Sequence, residues 1–197
     1  MITIIDYGAG NLRSVENTLG AIGAAYELTR SPEGVEKATR LILPGVGHYG
    51  QIMRALDELG LRQTIIGKLR GGTPFLGICL GMQALFESSA EAPDESGFGL
   101  FAGRVERFAV DARVPHMGWN DLDVKPDSKL LAGVGPRPFV YFAHSYYVPL
   151  CDAAKAVCTY TVPYTAALES GNVFGVQFHP EKSGALGLKI VRNFIEV

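Results

Sequence analysis

The stretch from Thr73 to Phe86, reading Thr-Pro-Phe-Leu-Gly-Ile-Cys-Leu-Gly-Met-Gln-Ala-Leu-Phe, constrains the fold more than any other part of the chain. Phe75, Leu76 and Ile78 suit a strand buried on both faces, whereas Met82, Leu85 and Phe86 recur at helical spacing. The stretch therefore predicts a strand, a sharp turn and a helix, with Cys79 at the apex. Gly77 and Gly81 stand where a side chain would block close approach of strand and helix, the requirement behind the Gly-x-Ser-x-Gly pattern of serine nucleophile elbows. At a helix N-terminus the free backbone N–H groups and the macrodipole favour thiolate over thiol, and the N–H of Leu80 is placed to donate to an oxyanion beside the sulfur. Taken alone, these residues also suit a structural cysteine buried in a Gly-rich turn.

Upstream, strands alternate with helices. Met1 to Asp6 reads as a strand opening into Tyr7-Gly-Ala-Gly-Asn11, followed by Leu12, Val15, Leu19 and Ile22 at helical spacing, with Asn11 as a plausible N-cap. Gly8-Ala-Gly10 lacks the third glycine of a dinucleotide fingerprint, so no cofactor is expected. A strand from Ala25 to Thr29 precedes Ser31-Pro32, an N-cap with proline at the first helical position. Leu41 to Leu43 then runs into Pro44-Gly-Val-Gly47, a loop rich in backbone donors. Helical spacing returns at Met53, Leu56 and Leu59 and again at Ile65, Ile66 and Leu69. This alternation predicts a parallel sheet with right-handed crossovers, with Tyr7 to Asn11, Pro44 to Gly47 and Cys79 at the carboxyl ends of strands, where ligands bind.

After Phe86 the polar stretch Ser88 to Gly99 reads as a loop. Strands follow at Gly103 to Val110, Leu122 to Val124, Phe139 to Phe142, Ala156 to Tyr160, Thr165 to Glu169 and Val173 to Phe178, and a last helix carries Leu186, Ile190 and Phe194. The whole predicts an α/β fold, one domain over residues 1–197, with a mostly parallel central sheet flanked by helices and additional β-strands in the C-terminal half. A net charge of -2 and a pI near 6.1 argue against nucleic acid or an anionic membrane as partner. The start lacks the features of a signal peptide and no stretch is long enough for a membrane span, so a cytoplasmic location is expected. Cys79, Cys151 and Cys158 form no disulfide framework. His48, His116 and His144 have no metal-ligand spacing, so no metal is expected.

The second chemical signal is Gln177-Phe-His-Pro-Glu181. Two residues apart in an extended chain, His179 and Glu181 project to the same side, with Pro180 stiffening the step between them. A carboxylate on one imidazole nitrogen fixes the tautomer so that the other nitrogen can serve a thiol, which makes Cys79, His179 and Glu181 a candidate catalytic triad.

Gly77-Ile-Cys-Leu-Gly-Met-Gln83 together with Phe178-His-Pro-Glu181 resembles the class I (triad) glutamine amidotransferases over nearly the whole length. Asp6-Tyr-Gly-Ala-Gly-Asn11, Pro44-Gly-Val-Gly47, Pro115-His-Met-Gly-Trp-Asn120, Tyr141-Phe-Ala-His-Ser-Tyr-Tyr147 and His179-Pro-Glu-Lys-Ser183 are similar to the glutaminase subunits of imidazole glycerol phosphate synthases. The elbow and the His-Pro-Glu step alone equally suit the amidotransferase parts of anthranilate, GMP or carbamoyl phosphate synthesis. The resemblance implies glutamine hydrolysis by Cys79, His179 and Glu181. It implies oxyanion donors at Leu80 and in the Pro44 to Gly47 loop, Val46 included, and glutamine contacts from Gly47, Gln83, Ser145 and Tyr146. It also implies a TIM-barrel cyclase subunit as partner, forming a heterodimer with Asn11, Trp119, Asn120, Tyr141 and Lys182 near the interface and ammonia passage. Glycines on both sides of Val46 would let a peptide there rotate, switching an oxyanion donor in or out. A γ-glutamyl peptidase using the same triad unaided and a non-enzymatic binding module remain alternatives.

Overall fold

The computed structural model describes residues 1–109 and 111–197. In chain order the first half contains β1 (Ile2–Ile5), α1 (Leu12–Ala21), β2 (Tyr26–Thr29), α2 (Pro32–Lys37), β3 (Leu41–Gly45), α3 (Tyr49–Glu58), α4 (Leu61–Arg70), β4 (Phe75–Cys79), α5 (Leu80–Gln83) and β5 (Phe86–Ser89). The second half contains β6 (Phe101–Arg107), β7 (His116–Asp121), β8 (Asp123–Val124), β9 (Phe139–His144), β10 (Tyr146–Tyr147), β11 (Ala154–Thr159), β12 (Pro163–Ser170), β13 (Val173–Val176), a 3-10 turn (Pro180–Lys182) and α6 (Gly184–Glu196).

Eight strands form the main sheet in the order β2-β1-β3-β4-β13-β12-β11-β8. The first five are mutually parallel and the last three continue antiparallel, so the extra C-terminal strands extend one edge of the parallel sheet. β3, β4 and β13 are buried at every residue, as strands covered on both faces must be. Alternation divides their side chains between two cores. Ile4, Ile42, Leu76 and Ile78 meet α1 and α6 through Val15, Leu19, Ile190 and Phe194. Ile5, Leu43 and Phe75 meet α2, α3 and α4 through Val35, Ile52, Leu56, Ile65 and Leu69.

The caps follow partly from sequence. Ser31 accepts from the Gly34 N–H with Pro32 at the first helical position, but Asn11 binds the Ser14 hydroxyl instead of capping α1. His48 caps α3 by accepting from the Gly50 N–H at 3.1 Å. The helix expected to run from Cys79 through Phe86 stops after four residues. Phe98 and Leu100 donate to the carbonyls of Ala84 and Leu85, which a longer helix would need, and Phe86 opens β5, pairing with Phe101 of β6. The supposed loop after Phe86 thus begins as a strand. Residues 116–121, carried in sequence only as part of a motif, form an antiparallel ribbon with β9. Of the strand expected over 103–110, β6 covers the part to Arg107, and Val110 lies outside the described residues.

Close backbone packing positions the elbow. A Cβ at Gly77 would stand 2.5 Å from the Gly81 carbonyl oxygen, one at Gly81 would press on the Leu43 carbonyl, and one at Gly45 on the Gly81 N–H. Gly81→Ala should therefore destabilise the protein by about 1–3 kcal/mol, because backbone and not a flexible side chain must yield. Gly67, exposed in α4 with open space around it, should gain up to ~1 kcal/mol on replacement by Ala. Chemical denaturation of both variants checks the contrast, and equal effects would count against close packing at the elbow.

Candidate active site

β1, β3, β4 and β13 lie side by side and parallel, so their carboxyl ends present Tyr7, Val46, Cys79 and His179 along one rim of the sheet. Cys79 has φ 54° and ψ -108°, and among the described residues it is the one non-glycine with positive φ. Such a conformation costs of order 1–3 kcal/mol and persists where surrounding packing imposes it. The main-chain corner turns the cysteine out of the strand and into a cavity of about 320 Å³, at the small end of the range for small-molecule sites. Val46, Gly47, Leu80, Gln83, Ser145, Tyr146, His179 and Lys182 line the same cavity. Cys79 itself is 6% exposed.

His179 Nδ1 lies 2.8 Å from Glu181 Oε1, and both side chains are 3% exposed. This pairing arises differently from the sequence expectation. β13 ends at Val176, and Glu181 reaches His179 across the 3-10 turn and not along a strand. That turn is anchored. The His179 N–H donates to the Tyr141 carbonyl, the Ser183 hydroxyl donates to the His179 carbonyl at 2.7 Å, and the Tyr141 N–H donates to Ser183 Oγ at 3.0 Å. With Nδ1 held by the carboxylate, Nε2 is the nitrogen left for the cavity.

Burial by itself would lower the His179 pKa, but the Cys79 sulfur and then the Glu181 carboxylate outweigh it and raise the value to about 10. The arrangement therefore favours the charged imidazolium at His179. Because α5 has only four residues, its macrodipole is small, and stabilisation of the sulfur rests on local donors and on His179. One such donor was not picked out from sequence: Gln177 Nε2 lies 3.5 Å from Cys79 Sγ, fully buried beneath it. Its position two residues before His179 is the signal that could have found it, since the extended chain expected through Phe178 puts alternate residues on one side.

Gln83 donates through Nε2 to the Tyr146 carbonyl at 2.9 Å and to Gln177 Oε1 at 3.0 Å, leaving its own carbonyl oxygen for a ligand. Leu80 opens α5, so its N–H belongs to the first turn and has no intrahelical acceptor. Val46 is held by Tyr7, whose hydroxyl oxygen accepts from the Val46 N–H at 3.3 Å and lies 3.5 Å from the Val46 carbonyl. Gly47 sits in the loop at φ 97°. Gly45, expected to flank a freely rotating peptide, is instead the last residue of β3, paired with Cys79 and packed on Gly81. Glu91 is a further cavity residue. Its Oε2 accepts from the Tyr49 N–H at 2.7 Å, and nothing in the polar stretch around it distinguishes it in sequence from Glu87, Asp94 or Glu95.

Of the residues expected near a partner, Lys182 stands 5.7 Å from the Tyr141 ring centroid, and Tyr141 packs edge-on against Trp119 at 6.2 Å. Asn120 turns to the opposite face of the ribbon, donating to the Thr159 carbonyl at 3.1 Å. Asn11 lies just beyond the end of β1, at the same end of the sheet as Cys79.

The sequence model of the class-I glutamine amidotransferases matches residues 3–197. The chain belongs to that family. A relative from Methanothermobacter thermautotrophicus, named imidazole glycerol phosphate synthase subunit HisH, is 50% identical over 198 residues, covering 100% of this chain and 98% of the relative. Another of the same name from Deinococcus radiodurans is 46% identical over 197 residues, covering 98% of this chain and 92% of the relative. Among solved structures, one described as a glutamine amidotransferase superposes with a TM-score of 0.76 at 22% identity, covering 99% of this chain and 97% of that one. PurLQS from Thermotoga maritima matches with a TM-score of 0.75, also at 22% identity and with the same coverage. At that identity the two structures speak for the fold alone.

Because the sulfur contributes the two largest influences that raise the His179 pKa, Cys79→Ser should move the His179 titration downward. NMR of the imidazole Cε1–H in both proteins measures this. An unchanged midpoint would show that Glu181 alone holds the charge.

Proposed function

We propose that this chain is the glutaminase subunit of an imidazole glycerol phosphate synthase. The observation that carries the reading is the His179–Glu181 pair facing, across one small cavity, a cysteine held in a positive-φ elbow. The relatives of that name support the choice of synthase.

The Cys79 thiolate attacks the side-chain amide carbon of glutamine, and negative charge collects on the amide oxygen. The Leu80 N–H and an N–H of the Val46–Gly47 loop meet that charge. His179 gives its Nε2 proton to the departing nitrogen, which leaves as ammonia, and a γ-glutamyl thioester remains on Cys79. His179, now neutral, takes a proton from water as the water attacks the thioester carbon. Glutamate leaves and the thiolate–imidazolium pair is restored. Gln83, Ser145 and Tyr146 hold the glutamine. Glu91, a carboxylate on the cavity wall, suits its α-ammonium group.

Ammonia is consumed by a TIM-barrel cyclase subunit, which converts PRFAR to imidazole glycerol phosphate and AICAR in histidine biosynthesis. The outer face of the β7–β9 ribbon suits the docking of that subunit, since Met117, Trp119 and Phe139 expose 64%, 56% and 60% of their surface side by side. Lys182 lines the cavity and stands over the Tyr141 ring, which packs on Trp119 of this face, so the pair suits a path for ammonia. No helix among the described residues is long and apolar enough to cross a membrane. A reactive thiol fits a reducing compartment, and we place the protein in the cytoplasm.

In the cyclase complex, Cys79→Ser should abolish product formation from glutamine and leave formation from ammonium salt nearly intact. His179→Ala should be close to inactive on glutamine. Glu181→Gln should be impaired yet measurable, because an unanchored imidazole still samples the productive tautomer. Glutamine-dependent turnover by Cys79→Ser would remove the thiol from the reaction.

The Val46 peptides are engaged by Tyr7 when the chain is alone, so one oxyanion donor is withheld until the loop turns. A missing donor of this kind costs about 10²–10³ in rate. Glutaminase activity should accordingly be very low for the isolated chain and rise by orders of magnitude when the partner carries its ligand. Tyr7→Phe, which removes both contacts, each long for a hydrogen bond and together worth about one of ordinary strength, should raise the partner-free rate by about 2- to 10-fold. Full activity of the isolated wild-type chain would sink the switch.

A further inference from the structure

The inner face of the β7–β9 ribbon carries two histidines that the reaction does not use. His116 and His144 are each 5% exposed, and His116 is stacked between Tyr160 at 4.1 Å and Phe142 at 4.9 Å. The partners around them fix the imidazole protons. The Asn120 Nδ2 group is identified as the amide nitrogen because it donates to the Thr159 carbonyl, while Oδ1 accepts from the Asp121 N–H. Its second contact, 3.4 Å to His116 Nε2, therefore makes that nitrogen an acceptor and leaves the proton on His116 Nδ1. At the other end, His144 Nδ1 lies 2.8 Å from the Tyr146 carbonyl oxygen, which can only accept. His144 Nε2 is then an acceptor too, and it stands 3.2 Å from His116 Nδ1. The Tyr164 hydroxyl, 3.2 Å from His144 Nε2 and 3.3 Å from His116 Nδ1, fits the same polarity, accepting from the second or donating to the first.

The result is a one-way series of donors from Asn120 to His116, to His144 and to the Tyr146 carbonyl. That carbonyl also receives Gln83 Nε2, whose other hydrogen goes to Gln177, whose amide in turn meets the Cys79 sulfur. A relay of this kind requires neutral imidazoles, since an imidazolium has no acceptor to offer. Burial lowers the His116 pKa to about 4. For His144, burial first and then the nearby His116 and His179 outweigh the Tyr146 carbonyl and bring it to about 3.

We propose that His116 and His144 are positioning residues, a tautomer-locked pair that fixes the Tyr146 carbonyl and, through it, the Gln83 amide at the wall of the glutamine cavity. The proposal rests on the glutaminase reading for its kinetic consequences, but its tautomers are independent of any activity. Both histidines are Nδ1–H imidazoles, the tautomer less common in free histidine. The donor that matters to the cavity is His144 Nδ1.

Two experiments test it. Long-range ¹H–¹⁵N correlation spectra of the wild-type chain should show Nδ1 protonated and Nε2 unprotonated in both His116 and His144 at neutral pH. An Nε2–H or doubly protonated ring at either position overturns the relay, whatever the protein catalyses. In the cyclase complex, His144→Asn places an amide donor where Nδ1 was, whereas His144→Phe keeps the aromatic bulk without a donor. The Phe variant should raise KM for glutamine about tenfold, the worth of one buried hydrogen bond, with kcat changing less. His144→Asn should recover most of that loss. The reverse order, with Phe close to wild type and Asn impaired, would reduce His144 to a packing residue. An inactive wild-type complex would count against the glutaminase reading and leave the spectroscopic result to stand for itself.

Discussion

Everything at the site depends on how closely three stretches of backbone approach one another. Gly45 of β3, Gly77 of β4 and Gly81 of α5 meet with no room for a Cβ, and that contact draws the chain into a corner which Cys79 must occupy at φ 54°. A strain of order 1–3 kcal/mol is tolerable there because the strands on either side are buried throughout and cannot relax around it. The corner takes the sulfur out of the sheet and puts it in a cavity whose other wall is built by residues far away in sequence. Without the glycines, Cys79 would be one more buried side chain of a central strand.

Three buried histidines in one neighbourhood have opposite electrostatic fates. His179 is 2% exposed, yet its pKa is raised, because a sulfur and a carboxylate hold the proton more strongly than burial expels it. His116 and His144 are about as well covered, but their neighbours are aromatic rings, a phenol and neutral hydrogen-bonding groups, and burial decides for them. A charged imidazole fits proton transfer, and a neutral one fits a directed hydrogen-bond relay. Burial alone does not assign the role; the charge placed beside the ring does.

The β7–β9 ribbon makes both kinds of histidine useful. Its two faces separate by the ordinary alternation of strands. Met117, Trp119 and Phe139 point outward as a bare apolar surface, and His116, Asn120, Phe142 and His144 point inward. A partner seated on the outer face would press on strands whose inner face is joined by hydrogen bonds to the wall of the Cys79 cavity. Nothing in the composition of residues 115–120 announces this division, since the motif mixes proline, glycine, histidine and tryptophan and reads as no regular strand.

Local chemistry was legible in the chain itself. Gly-x-Cys-x-Gly after a buried apolar run specifies an elbow, because the spacing states where backbone must come close, and His-x-Glu announced a paired imidazole and carboxylate, although a 3-10 turn and not the extended chain expected there brings them together. Alternating strands and helices in the first half specify a parallel sheet, because each period belongs to one kind of element. The length of α5 was not legible, since the Ala84 and Leu85 carbonyls that would prolong it are taken by Phe98 and Leu100, and no helical pattern carries that information. Nor were the roles of Gln177, Glu91 and the two inner histidines, each of which is defined by a partner elsewhere in the chain. The joining of the site itself was decided by tertiary structure. Cys79 and His179 meet because β13 pairs beside β4 in parallel, at a separation of about a hundred residues, and strand order is set by how whole layers pack, not by any local preference of the residues that end up side by side.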